Sequence, residues 1–158
     1  MKHTFCLALI FTLGFQSLAQ ERDLQLHPSF YALVVQDMDQ SLAWYQQNLG
    51  FQVDDLKILE ARGLKIANLS HQSLRLELIE FQQVIRPNQL TESLEPNTRV
   101  AGVFKIGFDI VNFEEFVTTL KAKNVEFRGD VVEDPITGKK MVIILDPDGN
   151  RIQLFDGN

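Results

Sequence analysis

FYALVVQDMDQSLAWYQQNLGFQV, residues 30–53, decides how this chain folds. Phe30 to Gln36 is a nearly continuous apolar run, the mark of a strand covered on both faces. Asp37 or Asp39 offers a side-chain oxygen to cap a helix that runs to about Leu49. Leu42, Trp44, Tyr45 and Leu49 give that helix one apolar side. Gly50 suits the helix end, where positive φ is needed, and strand character resumes at Phe51.

Working outward, three strand-like runs follow: Phe51–Leu59, Leu64–Leu69 and Leu74–Phe81. Arg62-Gly63 and Ser70-His71-Gln72-Ser73 are the predicted turns. From Gln82 to Ala101 the pattern lapses around Pro87 and Pro96, which predicts a linker with one helical turn near 90–94. Then the opening pattern returns. Val103–Val111 reads as a strand, with Phe104, Ile106, Phe108 and Ile110 packing together on one side. Asn112 is the predicted cap of a helix over Phe113–Lys123, and strands follow at Val125–Val132, Lys140–Leu145 and Arg151–Phe155. Asp146 and Asp148 read as residues of a tight turn closed by Gly149 at positive φ.

Both halves are therefore β-α-β-β-β, offset by about 75 residues. The fold class is α+β, with module one at 29–81, a linker at 82–102 and module two at 103–156. Each module offers a small sheet with a helix on one face. The expected assembly is an eight-stranded cup, the helix-free faces curving around a shared cavity.

The totals limit what such a cup can do. The chain has 158 residues and a net charge of -6, with no basic run. Nucleic acid and anionic membrane surfaces are poor partners for it. Residues 1–19 have a cationic start at Lys2, an apolar run from Phe5 to Phe15, and small residues at Ser17 and Ala19. That is the layout of a signal peptide, which predicts a secreted or periplasmic protein with a single domain over 20–158. The sole cysteine, Cys6, lies in that segment, so thiol chemistry and disulfides are not expected in the mature chain.

YALVVQDMDQSLAWYQQNLGFQV, residues 31–53, resembles the opening of the vicinal oxygen chelate superfamily of glyoxalases, bleomycin resistance proteins and extradiol dioxygenases. VEFRGDVVEDPITGKKMVIILDPDGNRIQLFD, residues 125–156, is similar to its closing segment, and with the repeat the likeness spans 29–156. The resemblance implies four inward-pointing metal-ligand positions, one on the first and one on the last strand of each half. In this sequence they fall on Phe30, Glu77, Lys105 and Gln153. Gln153 stands where metal-dependent members usually hold a glutamate.

Alternation agrees with that placement. Leu74, Leu76 and Leu78 face one way, so Arg75 and Glu77 face the other, and Lys105 and Asp109 share a face for the same reason. The predicted cup wall is Phe30, Ala32, Val34, Arg75, Glu77, Lys105, Asp109, Gln153 and Phe155. Only Glu77 and Gln153 of the four ligand positions can donate oxygen, and a catalytic divalent site needs about three protein ligands. A lysine ammonium about 4 Å from a dication costs roughly 8 kcal/mol at an effective dielectric of about 20. Deprotonating it at pH 7 costs roughly 4.6 kcal/mol instead. The expected arrangement pairs Lys105 with Glu77, with Gln153 hydrogen-bonded to one of them. His27 and His71 are read as ordinary surface histidines.

The sequence thus points to an exported binding protein without metal or other cofactor. It would hold a small organic molecule through Phe30, Arg75, Glu77, Lys105, Asp109, Gln153 and Phe155. The alternative is a metal-dependent lyase, isomerase or dioxygenase of the same superfamily. A homodimer is expected with either, because relatives build the cup by exchanging halves and the linker permits it.

Overall fold

A computed structural model of the chain describes residues 27–86, 89 and 101–158. The signal segment, the helical turn at 90–94 and most of the linker lie outside the described residues. Among the described residues, no helix is long and apolar enough to cross a membrane.

The first module runs β1 (Tyr31–Val35), α1 (Met38–Leu49), β2 (Gln52–Leu59), a 3-10 turn (Glu60–Arg62), β3 (Leu64–His71) and β4 (Leu74–Phe81). Asp37 is the residue that caps α1: its backbone is extended, and Oδ1 accepts the Gln40 N–H at 2.9 Å. Glu80 of β4 adds a second carboxylate at that helix end, accepting the Met38 N–H at 2.6 Å while its other oxygen meets Lys65 Nζ at 2.9 Å. Negative charge suits the orphaned N–H groups there. Gly50, at φ 69°, ends the helix in the left-handed region that a β-carbon disfavours. The buried stripe is Met38, Ser41, Leu42 and Tyr45, with Trp44 half-buried beside it.

Strand order in this sheet is β1-β4-β3-β2. β1 runs parallel to β4, and Ala32 lies opposite Glu77. β3 joins antiparallel neighbours β2 and β4, and continues through His71, so the hairpin to β4 turns on Gln72-Ser73 alone, with Gln72 at φ 52°.

The second module runs β5 (Ile106–Ile110), α2 (Phe113–Ala122), β6 (Glu126–Phe127), β7 (Val132–Glu133), β8 (Lys140–Leu145) and β9 (Arg151–Asp156). Its order is β5-β9-β8-β6, with β7 also on β8. β5 runs parallel to β9 and sets Gly107 opposite Gln153 and Asp109 opposite Phe155. The two modules are thus β-α-β-β-β repeats, each with a parallel pair of first and last strands.

Several details differ from the sequence expectation. The described residues form four-stranded and five-stranded sheets rather than eight continuous strands. The predicted strand 125–132 splits into β6 and β7 because Gly129, at φ 93°, turns the chain out of the ladder. Asn112 precedes α2 but does not cap it: it adopts a left-handed φ of 57°, and its side chain makes no cap hydrogen bond. β5 starts at Ile106, not Val103. One more ladder position would set Lys105 opposite Arg151, and like charges directly opposed are unfavourable. Phe104 leaves the row of Ile106, Phe108 and Ile110 as well. It is 51% exposed and lies under the Arg151 guanidinium, 4.2 Å from ring centroid to carbon.

Leu76, Leu78, Ile106, Ile144, Ile152 and Leu154 pack with both helices into one buried cluster that spans the modules. Phe51 meets Phe108 across the seam at 6.4 Å between centroids. Burying each such side chain contributes about 1.5–3 kcal/mol.

The Asp146–Asn150 turn joins the modules on the polar side. Asp146 is 4% exposed and accepts the Tyr45 hydroxyl at 2.9 Å and the Asn150 amide at 2.9 Å, besides two backbone N–H groups of its own turn. Asp148 is 5% exposed and accepts the Gln36 N–H at 3.1 Å and the Ser41 hydroxyl at 3.4 Å, with Arg86 Nε 3.9 Å away. The turn predicted from Gly149 is present, with φ 82°. Its aspartates, however, hold module one as well as shaping their own loop. Burial is the main influence raising the Asp148 carboxyl above the usual carboxylate range, helped by nearby Asp146. Burial and then the Asp146 charge push the Tyr45 hydroxyl well above its ordinary value.

Candidate functional site

Each sheet has one face against its helix and one free of it, and strand alternation assigns residues to the two. In β4, Leu76 and Leu78 are buried against α1, so Arg75 and Glu77 stand on the helix-free face. Asn68 lies opposite Glu77 in the β3–β4 ladder and shares that face. In β1 the same face carries Ala32 and Val34, with Phe30 just ahead of the strand and 58% exposed. Lys105 stands just ahead of β5 in the corresponding way. The β5–β9 register places Gly107 and Asp109 beside Gln153 and Phe155, and β8 adds Met141 and Ile143.

The repeat makes the correspondence internal to the chain. Ala32 faces Glu77 in one module as Gly107 faces Gln153 in the other. Phe30 and Lys105 match by the same token, each one residue before its strand. A β-carbon at Gly107 would make only ordinary contacts, 3.7 Å from the Phe155 ring and from the Gln153 carbonyl, so packing alone does not require glycine there.

The polar groups on these faces do not pair as expected. No ion pair or hydrogen bond joins Glu77 to Lys105 among the described residues. Glu77 is half-buried on an inner strand, whereas Lys105 is exposed at the mouth of the other sheet. Its positive field reaches Asp134 instead. That carboxyl is held below the usual range mainly by the Thr137 backbone N–H, then by the Thr137 hydroxyl and Ile136 N–H, with Lys105 adding to the effect. Asp109 is exposed and meets Lys139 Nζ at 3.3 Å, a solvent-screened pair of small energetic weight. Arg75 is exposed.

Gln153 is the exception. It is 1% exposed, and its amide Nε2 donates to Met141 Sδ at 3.0 Å. Its Oε1 is buried and finds no donor among the described residues. A thioether is a weak acceptor, and a buried carbonyl oxygen without a donor costs about 1–3 kcal/mol. The expected hydrogen bond from Gln153 to Glu77 or Lys105 is therefore replaced by a contact with Met141.

These positions do not suit a divalent metal. Among the described residues, no three His, Cys, Asp or Glu side chains lie together as a metal site. Phe30 offers no lone pair, Lys105 is a cation, and only Glu77 and Gln153 carry oxygen donors. The histidines add nothing to them. His27 is exposed, and His71 Nδ1 donates to the Gly50 carbonyl at 2.9 Å beside Phe51.

Asn68, Met141 and the inter-module role of Asp146 and Asp148 were missed by sequence reasoning. Pairing the predicted β3 and β4 runs across their four-residue turn puts Asn68 opposite Arg75; only the tighter Gln72-Ser73 turn of the structure brings it opposite Glu77. For the aspartates the signal was present in α1: Ser41 and Tyr45 bring hydroxyls to its buried stripe, and buried hydroxyls require partners.

Comparison with known proteins places this arrangement. The protein YwkD of Bacillus subtilis (strain 168) is 29% identical over 126 residues, 79% of this chain and 92% of its own. A glyoxalase family protein from Enterococcus faecalis has the same fold, with a TM-score of 0.67 and 22% identity over 84% of this chain and 97% of its own. The fosfomycin resistance protein FosX from Listeria monocytogenes, solved with Mn(II) and sulfate, superposes with a TM-score of 0.61 at 16% identity, covering 85% of this chain and 95% of its own. The family model for the Glyoxalase/Bleomycin resistance protein/Dioxygenase superfamily matches residues 27–154, and the chain belongs to that family.

Proposed function

We propose that this protein binds a small organic molecule on the helix-free faces of its two sheets, and does so without a divalent metal. The observation that carries this reading is Gln153. A buried amide oxygen without a donor, at a position of the repeat equivalent to Glu77, is ready to accept a hydrogen bond from a ligand N–H or O–H. Met141, an adaptable thioether already in contact with the amide, is the neighbour that shifts to admit it. Phe30 and Phe155 supply apolar contact, Glu77 and Asn68 accept or donate on the first sheet, and Arg75, Lys105 and Asp109 orient charged groups from exposed positions. A ligand with an aromatic or aliphatic body and at least one donor fits that set. The metal-dependent alternative lacks its third protein ligand.

Thermal unfolding with a panel of small aromatic, amine and hydroxyl-bearing compounds tests the proposal. A ligand at 100 times its Kd adds about 2.7 kcal/mol to stability. At least one compound should raise the midpoint of the wild-type chain and leave Gln153→Met unmoved. A panel without any stabiliser, or one whose effect survives that substitution, contradicts it.

A second copy of the chain is a further element of the proposal. Phe30, Val34 and Phe81 expose apolar side chains together on the helix-free face of the first sheet. Such a patch fits an interface or a ligand groove. Light scattering of the mature protein should give a dimer mass. Export is proposed on the layout of residues 1–19, and N-terminal sequencing of the mature protein should begin after Ala19.

A further inference from the structure

A shallow, broadly open groove of about 640 Å3 lies away from the helix-free faces, between α1 and the second module. The solvent face of α1 forms one wall with Gln40, Trp44, Gln47 and Asn48, spaced so that they share one side of the helix. Lys123 and Pro147 of the second module form the other.

The chemistry of that lining is distinctive. Three carboxamides converge there, and each presents both a donor pair and an acceptor. No carboxylate lines the groove. Lys123, its one cation, donates Nζ to the Gln47 backbone carbonyl, which engages part of its donor capacity. The indole of Trp44 is half-buried and fixed edge-on against Tyr45, with centroids 4.9 Å apart. The groove is also held in shape from below. Tyr45 and Ser41 on the buried side of α1 are tied to Asp146 and Asp148, which flank Pro147.

We propose that this groove binds a neutral saccharide. A sugar ring has an apolar C–H face that lies on an indole, and vicinal hydroxyls that match carboxamides as paired donor and acceptor. A carboxylated ligand would meet only one cation, already engaged. A purely apolar ligand would leave the polar groups of the three amides unused.

Trp44 is the only tryptophan in the chain, so its emission reports on this groove alone. The mature protein is titrated with glucose, N-acetylglucosamine, maltose, cellobiose and, as a charged control, glucuronate. Saturation-transfer NMR provides an independent readout. At least one neutral sugar should give a saturable emission change with a Kd on the order of 1 mM. The double substitution Gln40→Ala and Gln47→Ala should weaken it tenfold or more. Both residues are exposed, and alanine favours helix, so the variant should melt no lower than wild type. Gln153→Met should leave this response intact, which separates it from binding on the helix-free faces. No saturable response to any neutral sugar, a response to glucuronate alone, or undiminished binding by the double variant overturns the proposal.

Discussion

Replacing Gln153 by methionine removes both polar atoms of a buried amide while keeping its length. At present Oε1 is buried without a donor, at a cost of about 1–3 kcal/mol, and Nε2 has only the Met141 thioether at 3.0 Å. The substitution relieves the first term and forfeits a weak contact of about 0.5 kcal/mol. Volume-conserving swaps in a packed interior ordinarily cost under about 1.5 kcal/mol in repacking, least for a flexible thioether. The expected net is a gain of about 1 kcal/mol, or a rise of about 3 °C in the melting midpoint for a domain of this size. Urea denaturation followed by circular dichroism measures it, with an unchanged m-value as the control for compactness. Ligand-induced stabilisation should vanish in the same variant. A loss of about 2 kcal/mol or more would refute the reasoning, because the oxygen would then have a partner in the resting fold. A natural amide kept at a stability cost is expected where function requires it.

Other perturbations test the frame around the site. The folded state raises the Asp148 carboxyl mainly by burial, so folded chains hold its proton more tightly than unfolded ones. Its contribution is therefore full below the ordinary aspartate range and lost as pH rises through the raised folded value. Asp148→Asn should flatten that part of the stability–pH curve, as followed by urea midpoints between about pH 3 and 7. Asp37→Ala removes the α1 cap and should cost about 1 kcal/mol, less if Glu80 takes over, measured as a lower melting midpoint. Lys105→His combined with Gln153→Glu supplies, with Glu77, three metal-ligating side chains at the positions the resemblance implies. That variant should retain manganese or nickel through dialysis better than the wild-type chain by at least tenfold.

Much of this was legible in the residues because the two periods in the sequence coincide with what each element buries. The Leu74–Phe81 and Lys140–Leu145 strands have the predicted bounds: in the first, Leu74, Leu76 and Leu78 alternate with Arg75 and Glu77, and the second is, after Lys140, a continuous apolar run between turns. Gly50 and Gly149 mark their turns because both need positive φ. The helix-free placement of Glu77 and Gln153 follows from the same alternation. What could not be read was whatever depends on which polar atom meets which. Asp146 and Asp148 look like ordinary turn residues until Tyr45, Ser41 and Gln36 arrive from about a hundred positions earlier. The Glu77–Lys105 pair was expected from the ligand positions the resemblance implies together with the opposite charges, but Lys105 stands exposed, ahead of the β5–β9 ladder. The break at Gly129 had a local signal, a glycine within a strand pattern, and deserved more weight than the flanking valines.

Metal content is the most direct test of the proposal that Lys105 and Gln153, at two of the four ligand positions the resemblance implies, leave the protein without a divalent metal. The mature protein is purified without chelator, dialysed, and analysed by plasma mass spectrometry for manganese, iron, nickel and zinc. Well under one equivalent of any of them, on the order of a tenth or less, is the predicted result for positions with only two oxygen donors. One equivalent of a single metal that survives dialysis, and is lost when Glu77 is replaced by alanine, would contradict it.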